Sequence, residues 1–341
     1  FISRLPTTDT GKLFNLYDWQ RSALMEFYGT QVSETGTKDI PAPINAEWLR
    51  KYWYLYLEIP KKNGKSELAA ALGLYHLFAD GELNAEVYIC AADKENASIV
   101  YNAAVFMATS APWTAKMVAR GELKITESRK RIEYRRRIKT GNGGYKWVTI
   151  GVMQVLSAEA YSKHGYKPSC VIFDELHAQP SRELWDIMTG AAGASRRQPV
   201  WIVLTTAGDD PDRGSIGWEI HDKAVAIRDA RQLRRIQKEG GDARKVLSLR
   251  HAADEDLADA EQALLERDEE NWLPILYGLT AFFGDDPDDL EKIDIWDESL
   301  WKLCNPSLGK HLSMRNVRME AMAAKKSCLL YTSDAADDLI G

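Results

Sequence analysis

Nowhere in the 341 residues does an apolar run approach the ~20 that a membrane-spanning helix needs, so no such helix is expected. The first residues lack a basic start followed by an apolar stretch, and no secretory signal is expected there. The chain opens on Phe1 rather than Met, as a segment internal to a longer reading frame would. Cysteine is scarce: Cys90, Cys170, Cys304 and Cys328 are the four, and none stands in a CxxC pair. Disulfides and structural zinc are therefore not expected, and a reducing cytosol fits best. The six histidines form no His/Cys/Asp grouping at metal-ligand spacing, and His164 and His177 read as structural. No Ser-His-Asp arrangement is supported either. An excess of positive charge is also missing: the net charge of −6 argues against the whole chain acting as an electrostatic nucleic-acid binder.

What is present is a globular composition, 45% hydrophobic and 28% charged, with room for two or more domains. The charge is uneven. Lys124 to Lys139 contains Arg129, Lys130, Arg131, Arg135, Arg136 and Arg137, whereas Asp254 to Glu270 and Asp285 to Asp297 are acidic. The basic run reads either as the solvated face of a hairpin or as a patch facing phosphates.

Apolar strands alternate with helices over the first two thirds of the chain. Leu16 to Tyr28 has helical spacing, 29–45 reads as loop, and Trp48 to Glu58 as an aromatic-rich strand. Ser66 to Phe78 is a helix apolar on most sides. Val87 to Ala92 is a strand, and Lys94 to Ala108 a helix. Leu123 to Ile138 and Trp147 to Leu156 read as antiparallel strands, Cys170 to Asp174 and Val200 to Thr206 as central ones, and Arg182 to Ala192 as a helix. This pattern predicts an α/β fold with a mainly parallel sheet flanked by helices, whose ligands sit beyond the strand C-termini. After Gly217 the helix-like Trp218 to Glu239 and Asp254 to Glu269 are followed by the apolar Trp272 to Phe283 and the acidic loop Gly284 to Asp289.

Two segments carry chemistry. Ile59-Pro60-Lys61-Lys62-Asn63-Gly64-Lys65-Ser66 lies between a strand and a helix, the context a phosphate-binding loop requires. There Gly64 lets the backbone approach, Lys65 neutralises the β and γ oxygens, and Ser66 binds Mg²⁺, with Lys62 and Asn63 lining the loop. The usual early glycine is absent, since Ile59 occupies that place. Cys170-Val171-Ile172-Phe173-Asp174-Glu175-Leu176-His177 is an apolar strand ending in paired carboxylates. Successive strand residues point to opposite sides, so Asp174 is expected on Mg²⁺ and Glu175 on the attacking water. Thr205 and Thr206 end the next strand with hydroxyls expected in the same crevice. Gln20 reads either as a contact to the adenine edge or as an exposed helical residue.

With Trp19-Gln20, the deviant loop, Ala91-Ala92 with Ala97, and Val171 to Ala178, the chain resembles the large terminase subunit of tailed bacteriophages. Arg182-Glu183-Leu184-Trp185, Thr205-Thr206-Ala207-Gly208, and Trp301 with Asn305-Pro306-Ser307-Leu308-Gly309 extend the resemblance from about Leu16 to about Lys326. The resemblance implies a P-loop NTPase of the ASCE, RecA-like type over 1–230 and a linker or lid segment over 231–327. It implies an ATP-hydrolysing DNA translocase of viral genome packaging, with ATP and Mg²⁺ as cofactors. Lys61 would be the basic residue touching the γ-phosphate, and Thr205, Thr206 and Ala207 the coupling motif. The implied partners are double-stranded DNA, further copies in a homo-oligomeric ring on a portal protein, and a small terminase subunit. The implied place is the cytoplasm of an infected bacterial host. A trans-acting arginine is implied too, with Arg129, Arg131, Arg135 to Arg137, Arg196 and Arg197 as candidates.

The full-length family also carries an endonuclease domain. None is expected here, because 270–327 resembles the segment preceding it and 328–341 resembles translated adapter read-through. Two other readings stand beside this one. One is a DExH-type superfamily 2 helicase, because Asp174-Glu175-Leu176-His177 spells that box. The other is a nucleotide-binding module without turnover.

Overall fold

The computed structural model describes residues 1–33, 48–157, 165–190, 196–208, 210, 212–284 and 287–327. The expectations for His164, for 328–341, and for parts of 29–45, 182–192 and 284–289 fall outside the described residues. The strands are β1 (Gln31–Ser33), β2 (Trp48–Arg50), β3 (Tyr54–Glu58), β4 (Ala85–Ala91), β5 (Leu123–Thr126), β6 (Arg131–Lys139), β7 (Tyr145–Ser157), β8 (Cys170–Asp174), β9 (Val200–Thr205) and β10 (Trp272–Leu276). The longer helices are α1 (Asp18–Gly29), α2 (Lys65–Phe78), α3 (Lys94–Ser110), α4 (Pro112–Ala119), α5 (Glu183–Gly190), α6 (Ile216–Lys238) and α7 (Leu257–Glu266). Toward the C-terminal side follow α8 (Leu279–Phe283), α9 (Pro287–Leu290), α10 (Glu298–Cys304) and α11 (Met314–Ser327). Among the described residues, no helix is long and apolar enough to cross a membrane.

Contacts divide the chain into two compact units, Phe1–Arg21 with Gly64–Leu204, and Ser22–Asn63 with Thr205–Gly341. In the first unit β9, β8, β4 and β7 run parallel, and β6 and β5 extend them antiparallel. β8 and β9 are buried at every position, which is why they read as unbroken apolar runs. α2 packs on β4, β7 and β8. Gly73 permits the approach, since a Cβ there would lie 2.6 Å from Met153 Cε. Asp93 caps α3 by accepting from the amides of Glu95 and Asn96.

The second unit pairs β3 with β10 in parallel and β1 with β2 antiparallel. Tyr54 stacks on its cross-strand partner Trp272, with ring centroids 4.4 Å apart. Ala226, Ala230, Leu233 and Ile236 form a helical stripe on α6 that packs with Ala243, Val246, Leu249 and Leu264. A second core gathers Trp301, Cys304, Leu312, Val317 and Ala321 around α10 and α11.

Three expected elements divide. Trp48 to Glu58 is two strands, because the amides of Trp53 and Tyr54 both turn to the Asn271 carbonyl (2.8 and 3.0 Å) as the chain leaves β1 for β10. Leu123 to Ile138 breaks at Glu127–Arg129, where a single helical turn ends on left-handed Lys130, so the expected two-stranded hairpin has three strands. Trp272 to Phe283 splits at Gly278 into β10 and α8.

The α6 stripe should carry much of the second unit's stability. Leu233→Ala, at a fully buried position, is expected to lower the unfolding free energy by about 2–5 kcal/mol in urea titration. A loss under about 1 kcal/mol would show that this stripe is not a close-packed core.

Candidate nucleotide site

The turn into α2 is set by Gly64, whose φ of +87° lies where a side chain is penalised. Its carbonyl accepts from Leu68 N at 3.2 Å, so the helix is under way by Lys65. Lys65 is buried and Ser66 half-buried at the helix start, where amides without intrahelical partners favour an anion. Lys65 Nζ lies 3.5 Å from Glu175 Oε1. These two groups, from separate motifs, meet.

β8 delivers Asp174 at 5% exposure. Burial, and then the neighbouring Glu175 charge, push its carboxyl up to about 7 despite the pull of Lys65. Its Oδ1 is buried with no hydrogen-bond partner. A buried carboxylate oxygen without a donor is what a hard divalent cation would relieve, and Ser66 supplies a second oxygen. The residues therefore fit Mg²⁺. The separation of the two carboxylates has a different origin from the strand alternation expected. The strand ends at Asp174, and Glu175 adopts a left-handed conformation (φ +52°, ψ +62°) that re-aims its side chain. Its amide is held on the Leu204 carbonyl at 2.8 Å. For a non-glycine residue this conformation costs on the order of 1–3 kcal/mol, a strain that clusters at functional sites.

In the second unit, the loop before Gly64 leaves β3 with Ile59 N bonded to the Thr205 carbonyl at 3.0 Å. Lys61 and Lys62 are exposed, and Lys62 is left-handed (φ +66°) with Nζ 2.7 Å from Glu320. Asn63 is buried, and its Nδ2 turns back to donate to the Pro60 and Lys61 carbonyls at 3.1 and 3.3 Å. Thr205 and Thr206 are buried and Ala207 half-buried. The Thr205 hydroxyl, expected in the crevice, donates to the Thr206 carbonyl at 3.0 Å. Gln20 is not an exposed helical residue. It is buried in the first unit, and its Oε1 accepts from Tyr17 N at 3.0 Å, satisfying a donor at the start of α1.

Residues 48–221, slightly more than half of the chain, match the family model for the terminase large subunit, ATPase domain. The chain belongs to the terminase large subunit ATPase family. Among solved structures it is similar to the large terminase of bacteriophage HK97, at 21% identity and a TM-score of 0.62 over 99% of this chain. It spans 53% of that protein's length. The large terminase ATPase domain of Thermus phage P74-26 is also similar, at 18% identity and a TM-score of 0.41, over 51% of this chain and 65% of that one. A comparison with curated proteins found no match.

Several groups of this terminase chain were not legible as site residues. His177 Nδ1 lies 3.3 Å from Glu175 Oε2, so the catalytic carboxylate expected from sequence sits between an ammonium and an imidazole. Its only sequence signal is a position two residues past the carboxylate pair. Glu58, which ends β3, is fully buried and accepts from Tyr56 OH and His221 Nδ1, both at 2.7 Å. Burial alone would raise its pKa, but the charge and hydrogen bond of His221, with the Tyr56 bond, hold it below the usual value.

The Asp174 environment gives a pH signature for the protein free of nucleotide and divalent cation. Its carboxyl ionises less readily folded than unfolded, so stability is lost as pH rises from 3.8 to about 7. Asp174→Asn should match wild type near pH 4 and be more stable by up to about 4 kcal/mol near pH 8, by denaturant unfolding at both pH values. Equal stability of the two proteins near pH 8 would contradict the buried, unrelieved carboxyl.

Proposed function

We propose that this chain is the ATP-hydrolysing part of a DNA translocase that packages a viral genome. The observation that carries the proposal is the 3.5 Å approach of Lys65 to Glu175 beside the buried Asp174. In this reading Lys65 binds the β and γ oxygens of ATP, and Glu175 orients and deprotonates the attacking water. The left-handed turn at Glu175 and its contact to His177 keep that carboxylate aimed rather than folded into β8. Ser66 and Asp174 would hold Mg²⁺, which supplies charge neutralisation at the phosphates. Lys61 carries a positive charge into the loop but not the bidentate fork of an arginine. Thr205, Thr206 and Ala207 would couple hydrolysis to movement, and Ile59 ties the loop's root to Thr205.

Double-stranded DNA, a homo-oligomeric ring on a portal protein and a small terminase subunit are the partners this function calls for, in the cytoplasm of an infected bacterium. The DNA contact is best supported at the β6–β7 hairpin. Arg136, Arg137, Lys139 and Lys146 are exposed there, with Arg137 over the Tyr145 ring at 4.5 Å. The candidates for a trans-acting arginine also narrow. Arg196 is held by the Glu82 carboxylate and the carbonyls of Leu83, Asn84 and Lys167, Arg135 by the Gly121 carbonyl, and Arg131 by Gln154 and Glu133. Arg129, Arg136, Arg137 and Arg197 are exposed, Arg137 over the Tyr145 ring.

Turnover and binding should separate on substitution. Glu175→Gln is expected to retain ATP while steady-state hydrolysis falls by about 10²–10⁴-fold, and unchanged turnover would remove the water-activating role. In the charge-reversed pair Arg136→Glu with Arg137→Glu, duplex DNA binding should weaken and its salt dependence flatten. Wild-type DNA affinity across a salt series would place the DNA surface elsewhere.

A further inference from the structure

A phosphate loop must present amides toward its ligand, so its carbonyls need partners on the other side. The partners of the loop's carbonyls can be followed one by one. Those of Pro60 and Lys61 accept from the Asn63 side chain, and that of Gly64 from the helix amide of Leu68. The two between them are held from far along the chain. His311 Nε2 donates to the Lys62 carbonyl at 2.7 Å, and Ser307 Oγ donates to the Asn63 carbonyl at 3.3 Å. The Asn63 side chain is itself clamped by the same segment. Its Nδ2 donates to Asn305 Oδ1 at 2.8 Å, and its Oδ1 accepts from Ser307 N at 3.2 Å. Glu320 adds an ion pair to Lys62 Nζ at 2.7 Å.

The clamp has a rigid base. Asn305, Ser307 and Asn63 are buried, so each unmade hydrogen bond among them would be costly. Asn305 Nδ2 is fixed on the Trp301 carbonyl at 3.1 Å, and Trp301, Cys304, Leu312 and Val317 anchor the segment in the second core. Gly309, at φ +83°, closes the tight turn that brings His311 back toward the loop. Lys62 is left-handed, a conformation that persists in a non-glycine residue only when its surroundings over-determine it.

We propose that Asn305, Ser307 and His311 are positioning residues of the nucleotide site: they lock the carbonyls of Lys62 and Asn63 so that the loop is preorganised for phosphate. The inference rests on reading residues 59–66 as a phosphate loop. It makes the Asn305-Pro306-Ser307-Leu308-Gly309 motif part of that site, although it lies more than two hundred residues from the loop.

The test compares wild type with Asn305→Ala, Asn305→Asp, His311→Ala, His311→Gln and Lys65→Ala. The readouts are binding of a fluorescent ADP analogue, KM and kcat for ATP, and amide hydrogen exchange of 60–66 without nucleotide. His311 is exposed, so its variants leave the core intact. The expected result is an ADP affinity weaker by about tenfold in Asn305→Ala and several-fold in His311→Ala. KM should rise more than kcat falls, and exchange at 60–66 should quicken before nucleotide is added. Asn305→Asp keeps the acceptor and His311→Gln keeps a donor, and each should recover part of the loss. Wild-type KM and wild-type loop exchange in both alanine variants, with ADP binding lost in Lys65→Ala, would overturn the positioning role. Wild-type ADP binding by Lys65→Ala would instead overturn the phosphate-loop reading, and this inference with it.

Discussion

Two adjacent carboxylates at the end of a buried strand repel each other and lose hydration, and the Lys65 ammonium stands against both effects. Lys65 reaches Glu175 at 3.5 Å and pulls on Asp174, yet Asp174 still resists ionisation. The arrangement is therefore electrostatically incomplete, with more desolvated negative charge than Lys65 relieves. A divalent cation with a polyphosphate would balance both sides, adding positive charge at Asp174 and negative charge at Lys65. The burial of β8 and the start of α2 serve to hold these groups in so unfavourable a state.

Backbone conformation carries part of the same burden. Lys62, Gly64 and Glu175 all have positive φ, and only one of them is glycine. Each of the other two is held by tertiary bonds: Lys62 through its carbonyl to His311, Glu175 through its amide to Leu204. Such residues cannot be stable on local grounds, so their conformation reports the surrounding fold. The left-handed turn also changes how the carboxylate pair works. Alternation along a strand would have sent Asp174 and Glu175 to opposite faces. The turn instead leaves Asp174 buried at the strand end and brings Glu175 to Lys65 and His177.

The features legible in the sequence are those encoded by local pattern. The apolar run of β8, the glycine before Lys65 and the helix α2, apolar on most sides, each follow from a few neighbouring residues, and the structure places them as expected. The features that escaped depend on distant partners. Nothing near Glu58 announces that His221 will bond to it, and nothing near Asn63 announces Asn305. The breaks at Lys51 to Trp53 and at Glu127 to Arg129 escaped for a related reason. At the first, strand propensity continues and only the change of pairing partner ends β2, whereas at the second a turn ending on left-handed Lys130 folds β6 back on β5.

The root of the candidate phosphate loop shows what these long-range bonds do to the loop's freedom. Glu58 is fixed to His221 of α6, and the next residue, Ile59, donates to the carbonyl of Thr205. The far side of the loop is fixed to Asn305, Ser307 and His311. A displacement of the loop therefore cannot be absorbed by slack at its ends, because both are bonded through buried groups. It must either break those bonds or move α6, the proposed coupling segment and the α10–α11 core with it. In the proposed reading, a change at the phosphates would reach these elements through the bonds that hold the loop.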